Sequence, residues 1–254
     1  MRAVTVACIA AFGVPVGAVL NVLIDRVPAK ARLRGHRAGE ARPPVSWGGL
    51  PAQPWLLRAR QTGNAMPRRW LSVELVTAAV FAALATRYDD AWVLPPLLLL
   101  GACLVTVSVI DLQLQRIPDR ITFPTLAASL PLIALVSVHE GTSEAISAAL
   151  VGGAVYFSLL FVTHLAYPAG MGFGDVKLAL VMGLYLGWLG WIPGSTVLGP
   201  VRLVLYALML GSIVGVLFGL VTQIVTKERG AFAFGPALAV GCLTVVLFAA
   251  DLRA

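Results

Sequence analysis

The sequence predicts an all-α, polytopic membrane protein of about eight transmembrane helices with one basic cytosolic loop. Three observations carry that prediction. Of 254 residues, 59% are hydrophobic and 12% charged, against roughly 45–50% apolar and 25% charged in soluble domains. Apolar runs recur at about the 17–25 residues that cross a hydrocarbon core. Lysine and arginine also collect on alternate sides of those runs, as they do when positive charge is retained in the cytosol.

The first run, 3–24, has Arg2 as its only early charge and no A-x-A cleavage pattern before the basic stretch that follows. It reads as a retained helix, not a removed signal peptide, and defines a first region, 1–25. Residues 26–70 are rich in Arg, Pro and Gly, and their apolar members (Val45, Trp47, Leu50, Trp55, Leu56, Leu57) are too few for a separate core. This loop or small subdomain is expected to pack on the bilayer or on helix ends. The remainder, 71–254, forms a helical membrane domain with runs near 71–86, 92–110, 121–138, 145–166, 176–192, 203–224 and 232–250. Its short loops favour antiparallel neighbours. Gly152–Gly153 and Gly211/Gly215 would let helices approach closely.

With the N-terminus outside, the inner loops hold 15 of the 19 basic residues, ten of them between Arg26 and Arg69. That count orients the chain in its membrane with both termini outside. The net charge of +7 comes mainly from one juxtamembrane loop without a nucleic-acid-binding motif, so anionic lipid is the expected partner and nucleic acid is not. Cys8, Cys103 and Cys242 fall inside apolar runs without CxxC spacing, and His36, His139 and His164 are scattered. No metal site is expected.

Ionisable groups near a membrane core are costly, so those that topology does not explain are functional candidates. "SVIDLQLQRIPDRITFP" (108–124) ends the third run at Asp111, with Pro118 barring continuation of the helix. "HLAYPAGMGFGDVKL" (164–178) places Pro168 and three glycines before Asp175 and Lys177 at the start of the sixth run. Both aspartates then lie at the cytosolic level, and packing the third and sixth helices together brings them face to face. Two close carboxylates share a proton around a bound water, which is the apparatus of an aspartic protease. The glycines would leave room for a substrate strand. Structural roles stand beside this reading: Asp175 as a helix cap, Asp111 paired with Arg116 or Arg120, Asp119 as the N-cap of the fourth helix, and Lys177 as an inner-end anchor. Asn21 and Glu74, near the inner ends of the first two helices, either bond across helices or position a substrate leader.

In order along the chain, "VGAVLNVLIDRVP" (16–28), "LSVELVTAAVFAAL" (71–84), "IDLQLQRIPDRITFP" (110–124), "GMGFGDVKLALVMGLYLGW" (170–188) and "FAFGPALAVG" (232–241) resemble the type IV prepilin peptidases, membrane aspartic proteases of the GxGD type. The resemblance implies that Asp111 and Asp175 are the catalytic pair and that Gly172 and Gly174 are the glycines of GxGD. It also implies cleavage of the basic leader of a prepilin or pseudopilin at the cytosolic membrane face. Many family members hold zinc through paired CxxC motifs in the first cytosolic loop and methylate the new N-terminus with S-adenosylmethionine. Residues 26–69 contain no cysteine, so zinc is not expected, proteolysis is expected to need no cofactor, and methyl transfer stays open. The rival readings are a GxGD protease resembling presenilin, whose PAL motif "GPAL" (235–238) echoes, and a non-enzymatic transporter component. The transporter would call for inverted repeats with broken mid-membrane helices, which the sequence lacks.

Overall fold

The computed structural model describes residues 2–32, 68–168, 171–226 and 233–253. Most of the basic loop, with Trp47, Trp55 and their apolar neighbours, lies outside the described residues, as do Lys227 and Arg229. The elements are α1 (Arg2–Arg32), α2 (Arg68–Arg87), α3 (Leu94–Leu114), α4 (Asp119–His139), α5 (Glu144–Ala166), α6 (Phe173–Gly190), α7 (Leu198–Thr226), α8 (Gly235–Leu247) and α9 (Ala249–Arg253). The protein is an all-α polytopic membrane protein: seven of these helices are long and apolar enough to cross a bilayer. The expected eighth run is shorter as a helix. α8 has 13 residues, about 20 Å against a core of about 30 Å, because residues 233–234 are non-helical and Phe248 separates it from α9.

The chain divides into two compact units, residues 1–86 and 87–254. The first is an antiparallel helical hairpin with a legible register. Ideal Cβ atoms at Gly13 and Gly17 would lie 2.6 Å from the Cα atoms of Ala78 and Glu74, so α1 and α2 touch backbone to backbone there. Asn21 Nδ2 donates to the Trp70 carbonyl at 3.0 Å, and Arg69 pairs with Asp25. At the other end Arg2 donates to the Thr86 carbonyl at 2.7 Å. Such interhelical hydrogen bonds within a membrane contribute about 0.6 kcal/mol on average.

The second unit is built around α6. From Asp175 to Gly190 every residue except Lys177 and Leu180 is buried, the pattern of a helix enclosed by others. The closest crossing is with α5. A Cβ at Gly152 or Gly183 would fall 2.4 Å from the other's carbonyl oxygen, and one at Gly187 would fall 2.2 Å from the Ala148 oxygen. Only hydrogen fits at these positions. Side-chain hydrogen bonds join α4 to α6: Ser129 with Tyr185 at 2.7 Å and Trp188 Nε1 to Ser137 Oγ at 3.1 Å. α7 approaches α8 at Gly211 and Gly215, where Cβ atoms would meet Leu238 and Phe234. These pairings bring the ends of α3 and α5 and the starts of α4, α6 and α8 to one end of the unit.

Candidate active site

Asp111 sits in the last turn of α3 and is 4% exposed. α3 closes on Gln115, which adopts the left-handed conformation (φ 50°) and returns its N–H to the Asp111 carbonyl at 2.7 Å. The Asp111 side chain has a different partner. Its Oδ2 accepts the backbone N–H of Gly235, the first residue of α8, at 2.9 Å. A helix N-terminus offers unpaired N–H groups and the positive end of its dipole, which offsets part of the cost of a negative charge in a buried place. A Cβ at Gly235 would lie 2.8 Å from that same oxygen, so only glycine permits the contact. Arg116 and Arg120, the pairing partners the sequence offered, are exposed.

Asp175 is the third residue of α6 and is 7% exposed. Its carboxyl reaches back to the N–H of Gly172, the N-cap residue, as the acidic member of a capping box does. The helix-cap reading is therefore realised for one side of the carboxyl. It does not account for Oδ1, which is buried and has no hydrogen-bond partner. The Asp111 and Asp175 carboxyls come from helices 64 residues apart in sequence and lie within electrostatic range of each other.

The glycines of GxGD have different duties. Gly172 is exposed, has φ −70° and ψ 141°, and a Cβ there would make only ordinary contacts, 3.4 Å from Asp175 Oδ2 and 3.9 Å from the Gly174 nitrogen. Gly174 has a Cβ position 2.8 Å from the Ile117 Cβ. It is needed so that the first turn of α6 can rest on the segment between α3 and α4, and the space the sequence reading reserved there for substrate is filled by the protein itself.

Residues 98–220, which include both aspartates, match the model of the Type IV leader peptidase family. The Prepilin leader peptidase/N-methyltransferase of Aeromonas hydrophila is 30% identical over 260 residues, covering 90% of this chain and 86% of that protein. The chain belongs to this leader peptidase family. The protein of the same name from Myxococcus xanthus (strain DK1622) is 32% identical over 224 residues, covering 83% of this chain and 62% of that one. That from Aeromonas salmonicida (strain A449) is 27% identical over 263 residues, covering 90% and 86%. No solved structure matches the chain. Membership makes it a protease, and the transporter reading falls away.

Around the two aspartates of this member of the leader peptidase family, two sequence expectations take another form. Asp119 is not the N-cap of α4. Pro118 holds that position in an extended conformation (φ −79°, ψ 128°), and its carbonyl accepts the Ile121 N–H at 3.0 Å. Asp119, one residue on, pairs with Lys177 at 2.7 Å. Lys177 in turn stands 5.4 and 5.1 Å from the ring centroids of Phe123 and Phe173. Its ammonium thus stitches the start of α6 to the start of α4 and does not simply extend into the interface. His164 near the end of α5 bonds the Met171 carbonyl at 2.9 Å and fixes the approach to Gly172. In the hairpin unit, Asn21 bonds across to α2, and Glu74 is buried where its Cα faces Gly17. Gly235 was missed as a site residue, although the Gly235–Pro236 pair opening an apolar run is a helix-start signal. Among the described residues, no group of three or more His, Cys, Asp or Glu could hold a metal ion.

Proposed function

We propose that the protein is an aspartic endopeptidase that cleaves the leader peptide of type IV prepilins or pseudopilins at the cytosolic face of the bacterial inner membrane. The observation that carries this reading is the pair of buried carboxyls, each set at a helix N-terminus, one of them with an oxygen the fold leaves unpartnered. The charge count supports the cytosolic placement, since 15 of 19 basic residues fall on the side of the aspartates in the inferred topology. The relatives' name supports the substrate class.

In the proposed reaction the dyad holds one proton between its two carboxyls. The ionised carboxylate takes a proton from water as the water oxygen attacks the scissile carbonyl carbon. The protonated carboxyl gives its proton to the carbonyl oxygen, producing a neutral tetrahedral intermediate. Collapse breaks the C–N bond: the leaving nitrogen takes the first proton, a hydroxyl of the intermediate returns one to the other carboxyl, and the starting state is restored. The steps use two carboxyls and a water, so proteolysis in this scheme needs neither metal nor S-adenosylmethionine. That cofactor enters only if this chain shares the methyl transfer named in its relatives.

The test is cleavage of a prepilin by purified, detergent-solubilised protein, with the mature product weighed after incubation with S-adenosylmethionine. Cleavage before the apolar helix supports the reading, and the added mass of a methyl group reports the second activity. Folded wild-type protein that leaves several prepilins and pseudopilins intact would contradict it.

A further inference from the structure

α8, whose first N–H holds Asp111, is also tied down at its far end. With 13 residues it rises about 20 Å, too little to cross a core of about 30 Å. The last carbonyls of a helix have no partner within it, and hydrocarbon offers none, so they need partners from the protein. Arg87 and Tyr88, which open the second unit just ahead of α3, supply them. Arg87 Nε donates to the Leu247 carbonyl at 2.6 Å, and the Tyr88 hydroxyl donates to the Val246 carbonyl at 2.6 Å. A second guanidinium nitrogen of Arg87 pairs with Asp251 of α9 at 2.5 Å. α8 therefore lies antiparallel to α3, bonded beside the start of α3 at one end and to Asp111 in its last turn at the other.

Between these ends α8 meets α7 backbone to backbone. A Cβ at Gly241 would lie 2.5 Å from the Ala207 carbonyl oxygen and from the Gly211 nitrogen. That contact sets how near the two helices come. Position along the helix axis is a separate matter, because such packing carries no directional bond. Among the described residues, the hydrogen bonds that tie α8 to elements distant in sequence are the one to Asp111 and the two from Arg87 and Tyr88. A hydrogen bond needs its donor and acceptor within about 2.7–3.2 Å, so an axial slip of about 1 Å would release the Gly235 N–H from Asp111. Misplacement of that size can lower a rate by about 10²-fold.

We propose that Arg87 and Tyr88 are positioning residues for Asp111: by holding the last carbonyls of α8 they fix that helix along its axis and keep its first N–H on the carboxyl at the opposite end. The inference rests on the reading of Asp111 as one of the two catalytic carboxyls. Arg87 and Tyr88 touch no substrate, and they act through a helical strut about 20 Å long.

The experiment measures kcat and KM for prepilin cleavage by the full chain in detergent, together with thermal unfolding and hydrogen exchange at the Gly235 amide. The variants are Arg87→Met, Tyr88→Phe, Gly235→Ala, Arg87→Met combined with Gly235→Ala, Asp111→Asn, and Trp188→Phe, which removes a bond between α4 and α6. Arg87→Met is expected to lower kcat by roughly 3–10-fold with KM within about two-fold, and to speed exchange at Gly235. Tyr88→Phe is expected to act in the same direction to a smaller degree. Changes that act on one bond are not additive, so Arg87→Met is expected to cost nothing further on top of Gly235→Ala. Trp188→Phe is expected to lose stability and keep its kcat. An unchanged kcat in folded Arg87→Met, losses that multiply with Gly235→Ala, or an equal fall of kcat in Trp188→Phe overturns the proposal. Should Arg87→Met not fold, Tyr88→Phe, which removes a single oxygen atom, is decisive: kcat and Gly235 exchange at wild-type values overturn the proposal. An inactive Asp111→Asn beside a wild-type-like Arg87→Met overturns this proposal alone, whereas an active Asp111→Asn overturns the dyad and this proposal with it.

Discussion

The two carboxyls of the dyad are held in opposite ways. Asp175 is fixed locally: its anchor, Gly172, lies three residues away within one stretch of chain, and half of its carboxyl is left without a protein partner. Asp111 is fixed remotely: its anchor, Gly235, lies 124 residues further on and belongs to a different helix. The contrast separates two requirements of such a site. In the proposed mechanism one group is held firmly by the fold and the other keeps an oxygen available for water.

The largest effect expected from breaking this arrangement comes from the carboxyls themselves. Asp111→Asn and Asp175→Asn should each lower cleavage by about 10²–10⁴-fold or more with little loss of folded protein, measured by initial rates alongside thermal unfolding. Next come the glycines that hold the two anchors in place. Gly235→Ala pushes a methyl group against Asp111 Oδ2, so activity is expected to fall by roughly 10–100-fold. Gly174→Ala drives a methyl group into Ile117 and is expected to cost about 1–3 kcal/mol of stability. Gly172→Ala makes only ordinary van der Waals contacts, at 3.4 Å and beyond, and should unfold with wild-type behaviour. If its rate nevertheless falls, the exposed face of Gly172 is where substrate backbone passes.

Smaller again is the Asp119–Lys177 pair, which is partly exposed. Asp119→Asn should cost less than about 1 kcal/mol and leave cleavage within a few-fold of wild type, because Lys177 keeps its contacts with Phe123 and Phe173. Least is expected of Glu140, at the opposite end of the unit. Desolvation, reinforced by Asp90, raises the Glu140 carboxyl above its ordinary value of 4.5. An acid whose folded value is raised favours folding fully below about 4.5 and loses that contribution as pH rises through the folded value. Glu140→Gln should therefore unfold at a higher temperature than wild type at neutral pH, with the difference vanishing toward pH 4, and should not alter cleavage.

What could be read from sequence follows the same division between local and remote. Apolar runs identified the helices because spanning length is set by the bilayer and not by tertiary partners. The GxGD stretch was legible because cap, glycines and acid lie within four consecutive residues. The Asp111 anchor was not, since nothing near residue 111 points to Gly235. "FAFGPALAVG" read as a whole last helix, yet its start is turned to the carboxyl and its helical part is too short to span alone. The Asp119 expectation failed for a related reason. A carboxylate just before an apolar run looks like a cap, but Pro118 already has the backbone angles of that position, and the charge that Asp119 meets comes from another helix.

The central claim is that Asp111 and Asp175 act as one catalytic unit, and the most direct test compares kcat/KM for prepilin cleavage in Asp111→Asn, Asp175→Asn and the double variant. Groups that share one step are strongly non-additive, so the account predicts that each single variant loses nearly all activity and that the double is no worse than either. A folded single variant that cleaves at the wild-type rate, or losses that multiply in the double variant, would contradict it.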